Sequence, residues 1–169
     1  QLPQLAQRLR TTLDKLRAPE VATRELTAPA RAWWRDLEKR VADPAIGLEA
    51  RIEADIDVPP ALFDSFVENG IDNARQKMRE GAALELRIEF TCTAQKVELA
   101  VCDSGAPVDA ATVRRLFREP IERGTRLGIG LYQAARLAAH AGYRVELVDN
   151  RPGHVRIALV RDEAASGEG

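Results

Sequence analysis

Residues 61–80 of the chain read ALFDSFVENGIDNARQKMRE, and this stretch predicts the helix around which the fold is organised. Its apolar residues recur at the three- and four-residue spacing of an amphipathic helix: Leu62, Phe63, Phe66, Val67, Ile71, Ala74 and Met78. Gly81 follows at a position where helices commonly end. Asn69, Gly70 and Asn73 lie in mid-helix, where each costs roughly 0.6 to 1 kcal/mol relative to Ala. Local helix stability does not explain these three residues, so we expect another reason for them.

One face of this helix carries a polar stripe. Ser65, Asn69, Asn73 and Lys77 recur every four residues and therefore share that face. Mg²⁺ prefers oxygen ligands and is usually held by one or two protein groups together with substrate phosphates. Two amide oxygens and the ammonium of Lys77 could thus hold a cation and the phosphates of a cofactor. The alternative is that the stripe is the solvated face of an amphipathic helix.

Strands are predicted on both sides of the helix. Apolar and polar residues alternate within 49–58, as in a half-buried strand, and a hairpin is expected over 84–103. The hairpin register that collects the apolar residues on one face pairs Phe90 with Leu99 and Ile88 with Val101. In that register Cys92 and Cys102 point to opposite faces, so we expect no disulfide between them. A reduced, cytoplasmic setting fits this expectation.

The rest of the chain adds two helices and a second hairpin. We predict a short helix within the polar segment 104–127, an Ala-rich helix over 128–141, and strands over 143–149 and 154–160. Strands joined by a short turn must run antiparallel. The order of elements therefore predicts the α/β class: a two-layer α/β sandwich with a mixed, mostly antiparallel sheet, preceded by N-terminal helices.

Helical spacing also marks residues 1–41, with breaks at Pro19 and Pro29. Its apolar stripe allows two interpretations, packing against this same domain or a subunit interface. We divide the chain into a helical segment (1–42), a main domain (43–162) and a disordered tail (163–169). Because the chain begins at Gln1, we expect that it is an excised fragment and that sequence upstream is missing.

Composition limits the possible functions. The 169 residues include 25 basic and 26 acidic side chains, for a net charge of −1, so the overall field does not indicate a nucleic acid or an anionic membrane as partner. Charged residues interrupt every apolar run before it reaches the length of a membrane span. Any attraction for phosphate must therefore be local.

Two glycine-containing turns could complete a nucleotide site. Asp103-Ser-Gly105-Ala-Pro107 follows a predicted strand, and a carboxylate there can accept a hydrogen bond from the exocyclic amine of adenine, where guanine has a carbonyl oxygen. Gly128-Ile-Gly130 opens the predicted helix 128–141, where N–H groups can approach phosphate oxygens near the positive helix end. The alternatives are an Asx-type turn and a plain loop-to-helix junction.

The segment between these turns is locally basic. Its arginines are Arg114, Arg115, Arg118, Arg123 and Arg126. They could close as a lid over phosphates, or they could simply be solvated on a surface helix.

With these motifs identified, residues 49–160 resemble the catalytic ATP-binding domain of bacterial sensor histidine kinases, within the superfamily that includes DNA gyrase, heat-shock protein 90 and the mismatch-repair ATPases. Asn69-Gly-Ile-Asp-Asn73-Ala74 resembles the N box of that family, and Asp103 to Pro107 its first glycine box. Leu116-Phe117-Arg-Glu-Pro120 resembles its F box, and Leu127-Gly128-Ile-Gly130-Leu131 its second glycine box.

The resemblance implies the Bergerat-type ATP-binding fold, with ATP and Mg²⁺ as cofactors. The catalytic residues would be Asn69 and Asn73, with Asn73 ligating Mg²⁺ and Asn69 contacting phosphate or metal. Asp103 would bind the adenine amine. Further residues would shape the nucleotide pocket: Gly105, Gly128, Gly130 and Leu131.

The resemblance also implies partners. Residues 1–42 would be the trailing part of a dimerisation and phosphotransfer domain, through whose helices the full protein forms a homodimer. The only histidines are His140 and His154, so the phosphoacceptor histidine would lie upstream of Gln1. A response-regulator receiver domain would take the phosphoryl group, and the parent protein could be anchored in the inner membrane.

One position separates kinases from hydrolytic members of the superfamily. The latter carry a glutamate four residues before the Mg²⁺-binding asparagine, and here that residue is Asn69, whose amide is no general base. The predicted function is therefore transfer of the γ-phosphoryl group of Mg-ATP to a histidine. The alternatives are a degenerate nucleotide-binding or scaffold module without kinase activity, and an anti-sigma-type serine kinase.

Overall fold

The computed structural model of the chain describes residues 26–115 and 126–163. The described helices are α1 (Ala30–Arg40), α2 (Pro60–Arg79), α3 (Ala110–Arg115) and α4 (Arg126–His140). The described strands are β1 (Ala28–Pro29), β2 (Ile46–Ile52), β3 (Asp57–Val58), β4 (Leu86–Cys92), β5 (Val97–Asp103), β6 (Tyr143–Arg151) and β7 (His154–Arg161). None of the described helices is long and apolar enough to cross a membrane.

The ends of α2 follow from its sequence. Pro60 is its first residue, where the missing N–H costs nothing because the first turn has no intrahelical acceptor for it. Gly81, just beyond the last turn, has a φ of +99°, a conformation that glycine adopts without steric penalty. The helix predicted from residues 61–80 is therefore confirmed.

The main sheet has the strand order β2-β4-β5-β7-β6. β2 runs parallel to β4, and the other neighbouring strands are antiparallel. The parallel pair is possible because α2 lies between β2 and β4 in the chain and provides the crossover. β5, whose last residue is Asp103, thus occupies the centre of the sheet.

The single strand expected within 49–58 is wrong in its extent. β2 ends at Ile52, opposite Cys92 at the end of β4, and the N–H groups of Glu53 and Ala54 both donate to the carbonyl of Cys92. This contact turns the chain away from the sheet, and β3 pairs with β1 instead. The alternating exposure persists through the break, which is why the sequence pattern did not reveal it.

The register predicted for the first hairpin is confirmed. Phe90 lies opposite Leu99, and Ile88 lies opposite Val101. Cys92 and Cys102 are both buried and both free. Burial raises the pKa of each thiol, which favours the protonated form.

Helices α1, α2 and α4 contribute to one apolar core against the sheet. Trp33 of α1 contacts Phe63 of α2 with ring centroids 5.0 Å apart, and Phe90 of β4 with centroids 5.4 Å apart. Edge-to-face aromatic pairs of this kind contribute about 0.5–1.5 kcal/mol each beyond the area that they bury. For residues 30–40, packing against the same domain is therefore the correct interpretation of the apolar stripe. Residues 1–25, with Pro19, lie outside the described part.

The two-layer α/β sandwich predicted from the sequence is confirmed: helices pack on one face of a mixed, mostly antiparallel five-stranded sheet. The opposite face carries a small cluster of buried residues, Ala100, Cys102, Ala158 and Val160. α2 packs on the face of the sheet toward which Asp103, the last residue of β5, turns its side chain. The predicted site residues on α2 and β5 therefore lie within reach of each other.

Candidate functional site

Asp103 ends the central strand and turns its carboxylate toward α2. Its Oδ1 accepts a hydrogen bond from the backbone N–H of Gly105 at 2.8 Å. A Cβ atom at position 105 would lie 2.9 Å from this Oδ1 and 3.2 Å from the Cδ of Lys77. Glycine at 105 is therefore explained by the close packing of the turn against the carboxylate.

Lys77 meets the same carboxylate from α2. Its Nζ donates to Oδ1 of Asp103 at 3.0 Å and to Oδ2 at 2.9 Å, and also to the carbonyl oxygen of Ala106 at 3.2 Å. The two side chains are 19% and 13% exposed, so the pair is only weakly screened by solvent. Their charges cancel, and this end of the site is polar without a net charge.

A cavity of about 20 Å³ lies beside this ion pair. The residues that line it are Phe66, Gly70, Asn73, Lys77, Val101, Asp103, Val108, Val155 and Ile157. The lining is thus mostly apolar, and its polar groups are a carboxylate, an ammonium and an amide. A mostly apolar lining with a few polar groups is typical of small-molecule and cofactor sites.

Gly70 is explained by packing. A Cβ atom at this position would lie 2.7–3.0 Å from the side-chain atoms of Val101 on β5. The helix backbone therefore lies directly against the central strand, which brings the polar stripe of α2 close to the end of β5. Glycine lowers the stability of the helix at this position, but only a residue without a Cβ atom allows so close an approach.

Asn69 and Asn73 lie one turn apart on α2, and both are half-buried. Asn73 lines the cavity, whereas Asn69 is not among the described residues that do so. Hydrogen bonds within the described part of the chain do not involve either side-chain amide. Both amides are therefore available to bind a ligand, and an amide oxygen suits Mg²⁺.

The turn after β5 is held from the other side by the β6–β7 hairpin. The side-chain amide of Asn150 accepts from the N–H of Val108 at 2.8 Å and donates to the carbonyl oxygen of Val108 at 2.8 Å. The N–H of Gly153 donates to the carbonyl oxygen of Gly105 at 3.0 Å. The sequence analysis missed Asn150 and Val108, because a tertiary contact between residues 42 positions apart leaves no local pattern.

The second glycine motif lies on α4, which begins at Arg126, two residues before the predicted start. Gly128 and Gly130 both lie within the described part of this helix. The side chain of Leu131 is outside the described part.

Most of the basic segment is also outside the described part, including Arg118 and Arg123, together with the side chains of Arg115 and Arg126. Arg114 on α3 is exposed, and its Nε donates to the carbonyl oxygen of Ala110 at 3.3 Å within the same helix. The predicted closure over phosphates therefore stays a prediction.

Comparison with known proteins agrees with this geometry. The family model described as "Histidine kinase-, DNA gyrase B-, and HSP90-like ATPase" matches residues 58–164. The solved catalytic domain of histidine kinase ThkA has a TM-score of 0.59 and 14% sequence identity, covering 82% of this chain and 95% of that chain. Acinetobacter baumannii histidine kinase AdeS has a TM-score of 0.61 and 16% identity, covering 96% of this chain and 82% of that chain.

At these identities the solved structures show a shared fold. No curated protein sequence matches the chain. The family model, however, spans well over half of it, from β3 through the last strand. The resemblance seen in the motifs is thereby confirmed, and the chain belongs to the family of histidine kinase-, DNA gyrase B- and HSP90-like ATPases, whose members share this ATP-binding domain.

Proposed function

We propose that the chain is the catalytic domain of a sensor histidine kinase, which binds Mg-ATP and transfers the γ-phosphoryl group to a histidine on a domain upstream of Gln1. The observation that carries this proposal is the convergence of Asn73 and Asp103 on one cavity with an apolar wall. The family match and the histidine kinase neighbours support it.

Each group in the site has a part in nucleotide binding. Asp103 accepts a hydrogen bond from the adenine amine, while Val101, Val155 and Ile157 provide the apolar wall for the ring. The amides of Asn69 and Asn73 would bind the phosphate end of the nucleotide, and the oxygen of Asn73 would be a ligand for Mg²⁺. A bound Mg²⁺ supplies positive charge that neutralises the phosphate oxygens. Backbone N–H groups near Gly128 on α4 would approach the same phosphates.

Among the described residues, the polar stripe of α2 carries no carboxylate that could act as the base for hydrolysis. Position 69 carries an amide, and the adjacent Glu68 is exposed and lines a different cleft, together with Asp72 and Arg75. A water molecule at the γ-phosphate would therefore have no carboxylate on this helix face to accept its proton. This arrangement favours transfer to a nucleophile that a separate domain brings, for which positioning and charge stabilisation provide most of the catalysis.

The proposed reaction breaks the bond between the γ-phosphorus and the oxygen of the departing ADP and forms a bond to an imidazole nitrogen, which releases its proton. A response-regulator receiver domain then takes the phosphoryl group. We place the protein in the cytoplasm, as a homodimer formed through helices that precede this domain.

Isothermal titration calorimetry with ATP and Mg²⁺ tests the binding step. We expect Asn73→Ala to weaken Mg-dependent ATP binding at least about tenfold, which corresponds to ~1.4 kcal/mol, because an oxygen ligand of the metal is lost. Gln76→Ala is a matched control, since Gln76 carries the same amide on α2 but bonds to Glu80 and Arg79 instead of facing the cavity.

Unchanged ATP affinity in Asn73→Ala would contradict the assigned role of the asparagine. No heat with millimolar nucleotide in the wild type would favour the scaffold alternative. Acid-stable phosphate on the acceptor domain would support a serine kinase, whereas phosphohistidine is acid-labile.

A further inference from the structure

Lys77 occupies the acceptor that the nucleotide needs. Each carboxylate oxygen of Asp103 can accept about two hydrogen bonds. Oδ1 already accepts from Gly105 N–H and from Lys77, and Oδ2 accepts from Lys77. An amine that approaches Asp103 must therefore share one remaining position on Oδ2 or displace the ammonium.

The size of the cavity also indicates that Lys77 must move before a nucleotide can bind. Its volume of about 20 Å³ is enough for roughly one water molecule. A purine ring is far larger, so part of the wall must move before a base can lie between Asp103 and Val155. Among the lining groups the Lys77 side chain is the candidate, because its four-carbon stem is flexible and its ammonium holds the Asp103 carboxylate that the base must reach.

Lys77 also changes what the end of the site can recognise. A carboxylate alone accepts the C6 amine of adenine and repels the C6 carbonyl oxygen of a 6-oxopurine. An ammonium in the same place does the opposite, since it donates to a carbonyl oxygen and repels the hydrogens of an amine. The Lys77–Asp103 pair therefore presents a donor and an acceptor at one point of the site.

We propose that Lys77 determines the affinity and base selectivity of the nucleotide site by competing with the purine amine for Asp103. The inference rests on the proposed function, because it requires that a purine nucleotide binds in this cavity. Lys77 lowers the affinity of the site for ATP. It also reduces the difference in affinity between ATP and a purine nucleotide that carries a carbonyl group at C6. Lys77 thus sets the base selectivity of the site, whereas the polar stripe in the sequence suggested only that it contacts phosphate.

Calorimetric titration of Lys77→Met with ATP and with inosine triphosphate tests this proposal. Methionine keeps an unbranched apolar stem but leaves Asp103 without its ammonium partner. We expect ATP to bind about tenfold tighter than to the wild type, which corresponds to ~1.4 kcal/mol, and inosine triphosphate to bind no better. The ratio of the two affinities then rises by at least the same factor.

Two further variants make the result specific. Lys96→Met makes the same chemical change at the other end of the hairpin, where Lys96 pairs with Glu98 at 3.0 Å, and we expect wild-type affinities for both nucleotides. Lys77→Arg keeps a cation that can bond to both carboxylate oxygens, and we expect ATP to bind no tighter than to the wild type. Thermal unfolding without nucleotide shows whether each variant is folded.

The outcomes separate the two proposals. If the wild type binds ATP, and Lys77→Met binds it with equal or lower affinity at an unchanged ratio to inosine triphosphate, the competition is refuted and the proposed function stands. If no folded variant binds either nucleotide, the proposed function fails, and the selectivity role fails with it. Should Lys77→Met not fold, a Lys77→Arg variant that binds ATP clearly more tightly than the wild type would overturn the proposal.

Discussion

At Gly70 a single missing side chain fixes the distance between the helix that carries the polar stripe and the central strand. Val101, which a Cβ atom there would meet at 2.7–3.0 Å, is β-branched, so its side chain has little freedom to turn away. In a solvent-exposed helix, Gly→Ala would stabilise by about 0.8–1.0 kcal/mol. Here the added methyl group must displace α2 or strain β5.

We therefore expect Gly70→Ala to lower the free energy of unfolding by about 1–3 kcal/mol, the usual cost of overpacking a core. Urea denaturation measures this change. Val101→Ala makes room for the methyl group, so in that background Gly70→Ala should cost much less or should stabilise. A stabilising effect in the wild-type background would show that the helix and strand are not in tight contact.

Single residues also mark the limit of what the sequence could predict. The stripe of residues four apart identified Asn73 and Lys77 together, and the Asp-x-Gly turn identified Asp103. The contact between Lys77 and Asp103 joins residues 26 positions apart and depends on where a flexible side chain ends. No periodic pattern contains that information, and the stripe alone predicted a phosphate partner for this lysine.

Among the elements, the β6–β7 hairpin does more than extend the sheet. Its Asn150 side chain completes two hydrogen bonds to the backbone of Val108, as a neighbouring strand would, and Gly153 N–H bonds to Gly105. The turn that presents Asp103 and the wall that includes Val108 are thereby fixed to the sheet. The hairpin positions the site without contributing a charged group to it.

Asn150→Asp should loosen this turn. The carboxylate can still accept from Val108 N–H, but it cannot donate to the Val108 carbonyl and leaves that oxygen facing negative charge. We expect a loss of about 1–3 kcal/mol in the free energy of unfolding and faster hydrogen exchange at the Val108 amide. Asp149→Asn, next in the chain and involved in an ion pair with Arg151 at 2.6 Å, is the control. Equal exchange in both variants would contradict the positioning role.

The local sequence pattern predicted where helices and strands occur better than it predicted which strands pair with each other. Alternation fixed the register of β4 on β5, because a shift by one residue would turn the apolar side chains of one strand away from the face on which the other strand's apolar residues lie. The parallel pairing of β2 with β4 and the break after Ile52 depend on long-range contacts, to which alternation is insensitive. The β4–β5 hairpin was therefore predicted correctly, whereas the end of β2 and its pairing with β4 were not.

For the molecule as a whole, the two faces of the sheet are stabilised differently. The helix side is an aromatic and aliphatic core. On the opposite face, Arg156 reaches across the strands to Glu89 and Glu98, the latter at 2.6 Å, and covers the small residues beneath. Burial raises the pKa of Glu98, but hydrogen bonds from Lys96 and Arg156 outweigh it and hold the pKa below its ordinary value of 4.5.

This shift predicts the pH dependence of stability. A carboxyl with a lowered pKa in the folded state stabilises the fold above pH 4.5, and this contribution is lost as the pH falls toward the folded-state pKa. We expect the free energy of unfolding to decrease from about pH 6 to about pH 3, with most of the loss below pH 4.5, and to decrease less in Glu98→Gln. Urea denaturation at both pH values measures it. Identical pH slopes for the wild type and Glu98→Gln would show that Glu98 has no part in the effect.

Trp33 and Trp34 are the only tryptophans of the chain, and both are buried on α1 against Phe90. Their indole emission consequently comes from the docked helix and from no other place in the protein. A red shift on dilution into denaturant would follow α1 as it leaves the sheet, while nucleotide beside Asp103 would leave the spectrum nearly unaltered, because neither tryptophan lines that cavity. The chain thus contains an optical probe of core integrity that is spatially separate from its ligand chemistry.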